Sequence, residues 1–569
     1  MMKKIQGEKR SIKSSPYFVY IPLIPVLLVL FGYVVYPLFK TFLNSVMIDG
    51  NINFANYKDF FNVENVTYIQ SLKNSVYISL ISVITCGIVG IGLALLMERF
   101  DFPGRRVLTV IAILPMALPS LIGTISFDFL YGESGIIPRF LQHLFSLNKV
   151  PFYLNGIAGV IMVHTFTMYT YFFLPVSSAI RNFDTSMEEA AYNLGASKWT
   201  VFTRVIIPML TPSIVASSLL VFMMSMASYT APLIYGIDNT LTMQIYLSRT
   251  NGNLDMAATQ STILSLVSIM FLILIRWYEN KRNYKNVNKG VGVHRTEVKN
   301  KWGKYVAAIA SFILVIFLML PIIVIILISF SQDGTWTTQI LPPKYTLDHY
   351  KDLFTNAKTW IPIKNSVVMS SIATLGNAVF GLGAAYLLSR FKFRGNYFVD
   401  SIIMIPWSLP GTVVAINLIA AFNKPSFFSF GKILVGTYWI LPLAYFVRHL
   451  PLVYRSTSAS FAQMDGSAEE AARNLGAGWF YSFRKVVIPM VFSGMAAGML
   501  LGFVQGIGEF VASILLYTVN TTPISVEIFQ RMYSFEFGTA CAYGVLQIIL
   551  LVIVLFASER LKGESASAI

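Results

Sequence analysis

Twice in this chain a polar segment carries Glu-Ala-Ala, three residues, Gly, and later a hydrophobic triplet closed by Pro. The two copies run from Glu189 to Pro208 and from Glu470 to Pro489, and Asp184 and Asp465 precede them at matching positions. The chemistry such a segment can do is recognition. Ala, Glu and Leu favour a helix over Met187–Leu194 and Ala468–Leu475. Acids in the first turn suit its dipole, and Gly195 and Gly476 stop it or let the chain turn. The paired alanines, Ala190-Ala191 and Ala471-Ala472, leave a low face that another protein can approach. A basic, aromatic stretch follows: Lys198, Trp199 and Arg204 in one copy, Trp479, Arg484 and Lys485 in the other. A helix held in this way between two membrane spans is a lever.

The other residues with chemical potential lie inside apolar segments, where ionisable groups are expensive. Glu509, in Gly506-Ile507-Gly508-Glu509-Phe510, reads either as a pathway residue or as a hydrogen bond that fixes packing. His164 reads as packing, with no matching histidine expected in the second half, and Asp128 reads as lying near the headgroups. No HExxH, nucleophile elbow or pair of catalytic carboxylates is present, so a membrane enzyme is disfavoured. Cys86 and Cys541 lie in apolar blocks without a CxxC or Cys/His cluster, so neither a disulfide framework nor a zinc site is expected.

The elements that must position these residues are transmembrane helices. Hydrophobic residues make up 55% of the chain and charged residues 12%, against ~25% in soluble proteins. A helix crosses the hydrocarbon core in about 20 residues. Apolar segments of that length lie at 17–42, 74–97, 106–130, 155–180, 206–235 and 256–278, and again at 305–330, 364–389, 397–422, 432–454, 487–517 and 538–558. The first is longer than a signal-peptide core and lacks a small-residue cleavage site, so it reads as a retained span. The fold class is therefore all-α membrane protein, with about twelve spans. The external loops would be 43–73, 131–154, 236–255, 331–363, 423–431 and 518–537. The net charge of +16 resides largely in the remaining segments, above all the stretch between the sixth and seventh spans. That bias puts both termini and the linker in the cytoplasm, and a nucleic-acid partner is not needed to explain it. The domains read as a basic tail 1–16, a first half 17–278, a linker 279–304, a second half 305–560 and a tail 561–569.

The halves repeat each other. Leu72-Lys73-Asn74-Ser75-Val76 matches Ile363-Lys364-Asn365-Ser366-Val367, and Arg99-Phe100-Asp101-Phe102-Pro103-Gly104 matches Arg390-Phe391-Lys392-Phe393-Arg394-Gly395. Leu114-Pro115 and Leu118-Pro119 match Ile405-Pro406 and Leu409-Pro410, and these paired prolines are expected to kink the third and ninth spans. Gly87, Gly90, Gly381 and Gly383 are expected to allow close helix packing. Six spans per half is an even number, so both halves share one orientation, related by an axis along the membrane normal. A pathway on that axis follows.

The two Glu-Ala-Ala segments resemble the EAA loop of the inner-membrane components of binding-protein-dependent ABC importers. Val205-Ile206-Ile207-Pro208 and Val486-Val487-Ile488-Pro489 stand where that family ends its motif with Ile-x-Leu-Pro, a conservative departure. The resemblance covers nearly the whole chain, twice. It implies the type I importer fold with two halves fused. It implies that Glu189, Ala190, Ala191 and Gly195, and Glu470, Ala471, Ala472 and Gly476, dock onto an ATPase. No GxxxxGK[ST] loop is present. The chain is thus expected to bind no cofactor of its own, with ATP and magnesium on two copies of a separate ABC ATPase and solute delivered by an external binding protein. The fifth span of each half lines the path in that family, which makes Glu509 and Ser228 pathway candidates, and His164, an ionisable group within the fourth span, is carried as a third. The fused layout and the segment Leu114–Ser120 with Tyr131-Gly132-Glu133-Ser134-Gly135 are similar to the ferric iron permeases. That points to iron(III), with aminoethylphosphonate, thiamine or a sugar phosphate as alternatives and an ion-coupled secondary transporter as the alternative of another class.

Overall fold

A computed structural model describes residues 20–48, 50–62, 66–181, 186–281, 296–297, 301–336, 339–391, 393 and 395–567. The tail 1–16, Asp184 and most of the linker 279–304 lie outside the described residues.

Each half contains nine principal helices in the same order. The first half has α1 (Pro22–Val46), α2 (Thr67–Arg99), α3 (Arg105–Ile111), α4 (Ser120–Tyr131), α5 (Gly156–Arg181), α6 (Ser186–Asn193), α7 (Lys198–Met226), α8 (Leu241–Thr250) and α9 (Leu254–Tyr278). The second has α10 (Ala308–Ser329), α11 (Ala357–Arg390), α12 (Asn396–Ser408), α13 (Gly411–Phe422), α14 (Ile440–Gln463), α15 (Ser467–Asn474), α16 (Trp479–Ile507), α17 (Ile524–Tyr533) and α18 (Phe537–Val554). Each helix therefore has its counterpart nine labels later. Among the described residues, 9 helices are long and apolar enough to cross a membrane, and the bent pairs α3–α4 and α12–α13 bring the number to 11. The twelfth span is α14, which occupies the place of α5. Its composition is too polar for a hydropathy window because it carries Arg448 and Arg455. The fold is a multi-spanning membrane bundle of two tandem six-span repeats.

The paired prolines do more than kink. The chain turns by 105° between Arg105–Met116 and Ser120–Leu144, and by 110° between Asn396–Ser408 and Gly411–Phe422. Pro119 and Pro410 sit at the turns in extended conformation. Beyond them α4 and α13 are buried along almost their whole length. Protein on every side shelters the backbone groups freed at such a break.

In each half the core is a three-helix packing: α2 with α5 and α7, and α11 with α14 and α16. Close approach there rests on Gly90 and Gly381. A Cβ at Gly90 would lie 2.5 Å from the Tyr169 carbonyl oxygen, and one at Gly381 would lie 3.2 Å from the Tyr454 amide nitrogen. Gly383 has nothing within 4 Å, so it does not serve the packing role expected of it. The first helix of each half crosses to the other half. α1 packs on α11 and α13, and α10 packs on α3 and α4. The Tyr33 hydroxyl donates to the Phe428 carbonyl at 3.0 Å, and Tyr36 lies 6.3 Å from the Phe422 ring.

Two boundaries differ from the sequence expectation. The fifth and eleventh spans begin at Lys198 and Trp479, ahead of Pro208 and Pro489, which lie inside continuous helices of 29 residues each. The missing proline N–H is absorbed by a π-helical turn just before it, at Phe202–Ile206 and Phe483–Val487. The stretches 236–255 and 518–537 are not simple external loops. They contain α8 and α17, whose first turns are buried.

Candidate functional site

An eight-residue helix is too short to stand alone in water, so α6 and α15 need anchors. The anchor is the glutamate that precedes each Glu-Ala-Ala. Glu188 is buried and forms an ion pair with Arg99. Glu469 is buried and pairs with Arg390 at 3.2 Å, with Arg473 at 2.8 Å and with the Tyr386 hydroxyl at 3.1 Å. Arg99 and Arg390 end α2 and α11, so the long helices hold the short ones. The repeated arginines were visible in the sequence, but nothing there linked them to a glutamate 89 residues away in one half and 79 in the other.

With the first glutamate turned inward, the next residues face out. Glu189, Ala190, Glu470 and Ala471 are exposed, and Ala191 and Ala472 are half-buried. Gly195 and Gly476 end the helices with φ of +82° and +85°, a left-handed conformation that glycine adopts freely. The Ala196 amide bonds back to the Ala191 carbonyl at 3.0 Å, and Ala477 to Ala472 at 3.0 Å, which closes a Schellman turn on each. Just before each glycine, Leu194 and Leu475 are 89% exposed. Two apolar knobs at equivalent ends are a signal that sequence reading passed over. Asp465 accepts from the Ser467 amide at 3.0 Å and its hydroxyl at 2.7 Å, capping α15, and these bonds hold its carboxyl below the usual range.

A second region lies where α7 and α16 stop. Ser228 and Glu509 occupy equivalent positions in the breaks that follow. His164 is buried in α5, with Nε2 2.8 Å from Ser228 Oγ and Nδ1 3.0 Å from Ser82 Oγ and 3.1 Å from Ser225 Oγ. The first half thus joins the two candidates His164 and Ser228 in one side-chain hydrogen-bond network. The second half has its own histidine, contrary to expectation. His449 follows His164 by 285 positions, the interval that also separates Tyr169 from Tyr454. It is buried in α14, and its Nε2 has no partner among the described residues. Beside it, Arg448 Nε lies 3.0 Å from Glu509 Oε2, while Glu509 Oε1 accepts from the Ala512 amide at 3.0 Å. Glu509 is therefore held in an ion pair with a residue of another span, 61 positions earlier, a pairing that no local sequence pattern marks.

The residues after Ser228 and Glu509 meet each other. The Tyr229 and Phe510 rings are 6.1 Å apart, and each has a second ring 5.4 Å behind it, Tyr246 and Phe529 respectively. Equivalent residues touching across the halves place the pseudo-twofold axis between Tyr229 and Phe510. The repeated Asn-Ser pairs secure the chain beyond the breaks. Asn74 Nδ2 donates to the Asn239 carbonyl at 3.0 Å, and Asn365 Nδ2 to that of Asn520 at 3.2 Å. Ser75 Oγ accepts from the Leu241 amide at 2.9 Å, and Ser366 Oγ from that of Ile524 at 2.8 Å. Asp128 lies half-buried near Tyr235. Among the described residues no group of three or more His, Cys, Asp or Glu side chains could hold a metal ion.

Residues 90–282 and 377–562 match the family described as binding-protein-dependent transport system inner membrane component. A probable ABC transporter permease protein of Sinorhizobium fredii is 29% identical over 500 residues, covering 86% of this chain and 87% of that protein. The ferric transport system permease protein of Actinobacillus pleuropneumoniae is 26% identical over 573 residues, covering 99% and 80%. The sulfate transport system permease protein of Salmonella typhimurium is 30% identical over 225 residues, covering 38% and 80%.

Proposed function

Given that the chain belongs to the family of binding-protein-dependent transport system inner-membrane components, we propose that it is the channel of an iron(III) importer whose two ATPase subunits seat on α6 and α15. The membership makes it a permease subunit of an ABC-type importer, embedded in a membrane and without ATPase activity of its own. In the proposed assembly, Glu189, Ala190, Ala191 and Gly195 form one docking surface and Glu470, Ala471, Ala472 and Gly476 the other. The halves 17–278 and 305–560 share a cytoplasmic linker, and both termini face the ATPases. An external binding protein presents the solute.

The observation that carries this reading is the pair of outward-facing helices, each pinned by an inward glutamate and ended by a left-handed glycine behind an exposed leucine. A pull on either helix reaches α2 or α11 through the arginine anchor, and α7 or α16 through the turn at Gly195 or Gly476. ATP binding draws the two helices together and rocks the spans outward, and hydrolysis reverses the motion. His164, Ser228 and Glu509 stand on the path, because the breaks that hold Ser228 and Glu509 meet at the pseudo-twofold axis. Iron(III) is favoured by the ferric permease that aligns with 99% of this chain. A sulfate permease aligned with one half supports a small oxyanion as the second reading.

The test is a mild-detergent pull-down of the tagged chain from its native cell, with co-purifying proteins identified by mass spectrometry. An ATPase that is recovered with the wild type and lost when Gly195 and Gly476 are both replaced supports the docking assignment. Its repeated absence under conditions that preserve other membrane complexes would move the reading to an ion-coupled transporter.

A further inference from the structure

Two positions near the axis differ between the halves in a way that fits together. Arg448 stands where the first half has Val163, and Gly411 stands where it has Ser120. A Cβ on Gly411 would lie 1.9 Å from Arg448 Nη1 and 2.9 Å from Val511 Cβ. The guanidinium reaches the start of α13 because residue 411 has no side chain. Its Nε faces Glu509, while its Nη1 is buried and has no partner among the described residues. Thr412, the next residue of α13, is wholly buried and its hydroxyl is also unpartnered. Buried donors left in this state are unfavourable unless something meets them in another step of the cycle.

Charge gives the class of that partner. Glu509 is engaged three ways. It pairs with Arg448, it accepts from the Ala512 amide, and its carbonyl accepts from the Ser513 hydroxyl at 2.6 Å and the Ser525 hydroxyl at 2.8 Å. Against this one carboxylate stand a full guanidinium charge and the positive end of α13, roughly half a charge. The balance is positive. A bare multivalent cation is repelled here, whereas a guanidinium fork beside a helix start is the donor set that oxyanions accept.

We propose that Arg448 is a specificity-determining residue of the pathway and that the solute passes it carrying an oxyanion group, either free or held on a ferric ion. The proposal rests on the importer reading and narrows its solute. As the break after α16 opens, the oxyanion replaces Glu509 on the guanidinium, and Glu509 keeps its bond to the Ala512 amide.

The experiment uses the full chain in lipid nanodiscs and follows thermal unfolding with sodium phosphate, sodium sulfate, sodium citrate or ferric citrate at constant ionic strength. Wild type is compared with Arg448→Met and with the exchange variant Arg448→Glu/Glu509→Arg, which keeps an ion pair but takes the guanidinium away from Gly411. The wild-type midpoint rises with millimolar oxyanion, and half-saturation shifts at least tenfold in both variants. A rise with phosphate or sulfate identifies a free anion, whereas a rise with ferric citrate but not with citrate identifies the complex. An exchange variant that responds like wild type, or a wild type that ignores all four solutes, overturns the proposal. In either case an ATPase still recovered in the pull-down leaves the importer reading intact, and its loss sinks that reading whatever the anions do.

Discussion

The two halves agree in one region and part in another. On the coupling side each structural device occurs twice: an Arg–Glu anchor, an eight-residue helix, a left-handed glycine and a 29-residue span with a π turn ahead of its proline. At the axis the halves differ. The first places Ser228 against His164 and Ser120 3.4 Å from Thr230, whereas the second places Glu509 against Arg448 and Gly411 against Val511. On the side proposed to meet the ATPases, the two copies carry the same devices. Where a small, asymmetric solute would pass, the copies are free to divide the work.

The sharpest way to break the symmetric side is to replace both glycines. Gly195→Val with Gly476→Val places a β-branched residue in the left-handed region, at a strain of about 1–2 kcal/mol each, and disrupts both turns proposed to dock. Uptake should fall at least a hundredfold while the protein remains in the membrane, with the two single variants equal to each other. Unequal single variants would show that the halves couple differently.

The asymmetric side predicts unequal losses. Glu509→Ala leaves the half-buried Arg448 guanidinium without its carboxylate and should lower stability by about 2 kcal/mol, less than for a fully buried pair. Ser228→Ala removes one hydrogen bond of a histidine that retains others and should lower it by about 1 kcal/mol. Thermal unfolding in detergent decides the matter, and equal shifts would remove the distinction between the halves.

A smaller effect separates the anchors. Glu188 has Arg99, whereas Glu469 also has Arg473 and Tyr386. Arg99→Ala should therefore loosen α6 by about 1 kcal/mol, after allowance for the partial exposure of the pair, and Arg390→Ala should loosen α15 by less. Hydrogen exchange at the two helices reads this directly. The smallest effect is a pH dependence confined to α15. The Asp465 carboxyl is held below its usual range, so its cap is fully formed above that range and is lost only as pH falls through the lowered value. Exchange at the Ser467 amide should accelerate there, and an onset already near pH 5 would contradict the cap.

Much of this architecture was legible in the sequence because hydropathy and repetition act over long windows. The six-plus-six organisation and both short helices could be read in that way, whereas the paired prolines, expected to kink their spans, turn them by 105° and 110°. What escaped was local or relational. The interval between the halves shrinks from 291 at Asn74 and Asn365 to 285 at the histidines and 281 at the Glu-Ala-Ala segments, so a single fixed offset hides His449. α8 and α17 were taken for loops because their polar faces, with Gln244 and Glu527, are buried against protein instead of standing in water. Arg448 escaped because its carboxylate partner Glu509 lies on a different span, and only the fold brings the two together.

The crossing of α1 to the far half bears on how the chain assembles. α1 leaves the ribosome well ahead of its partners, and its surfaces on α11 and α13, including Tyr33 against Phe428, exist only once a further 395 residues have been made. Through most of synthesis the first half must wait in the bilayer with its leading helix unsatisfied and the groove that receives α10 open. A single polypeptide keeps the late partner tethered during that wait. Severed into two genes, the same halves would have to find each other by lateral diffusion before quality-control proteases found them.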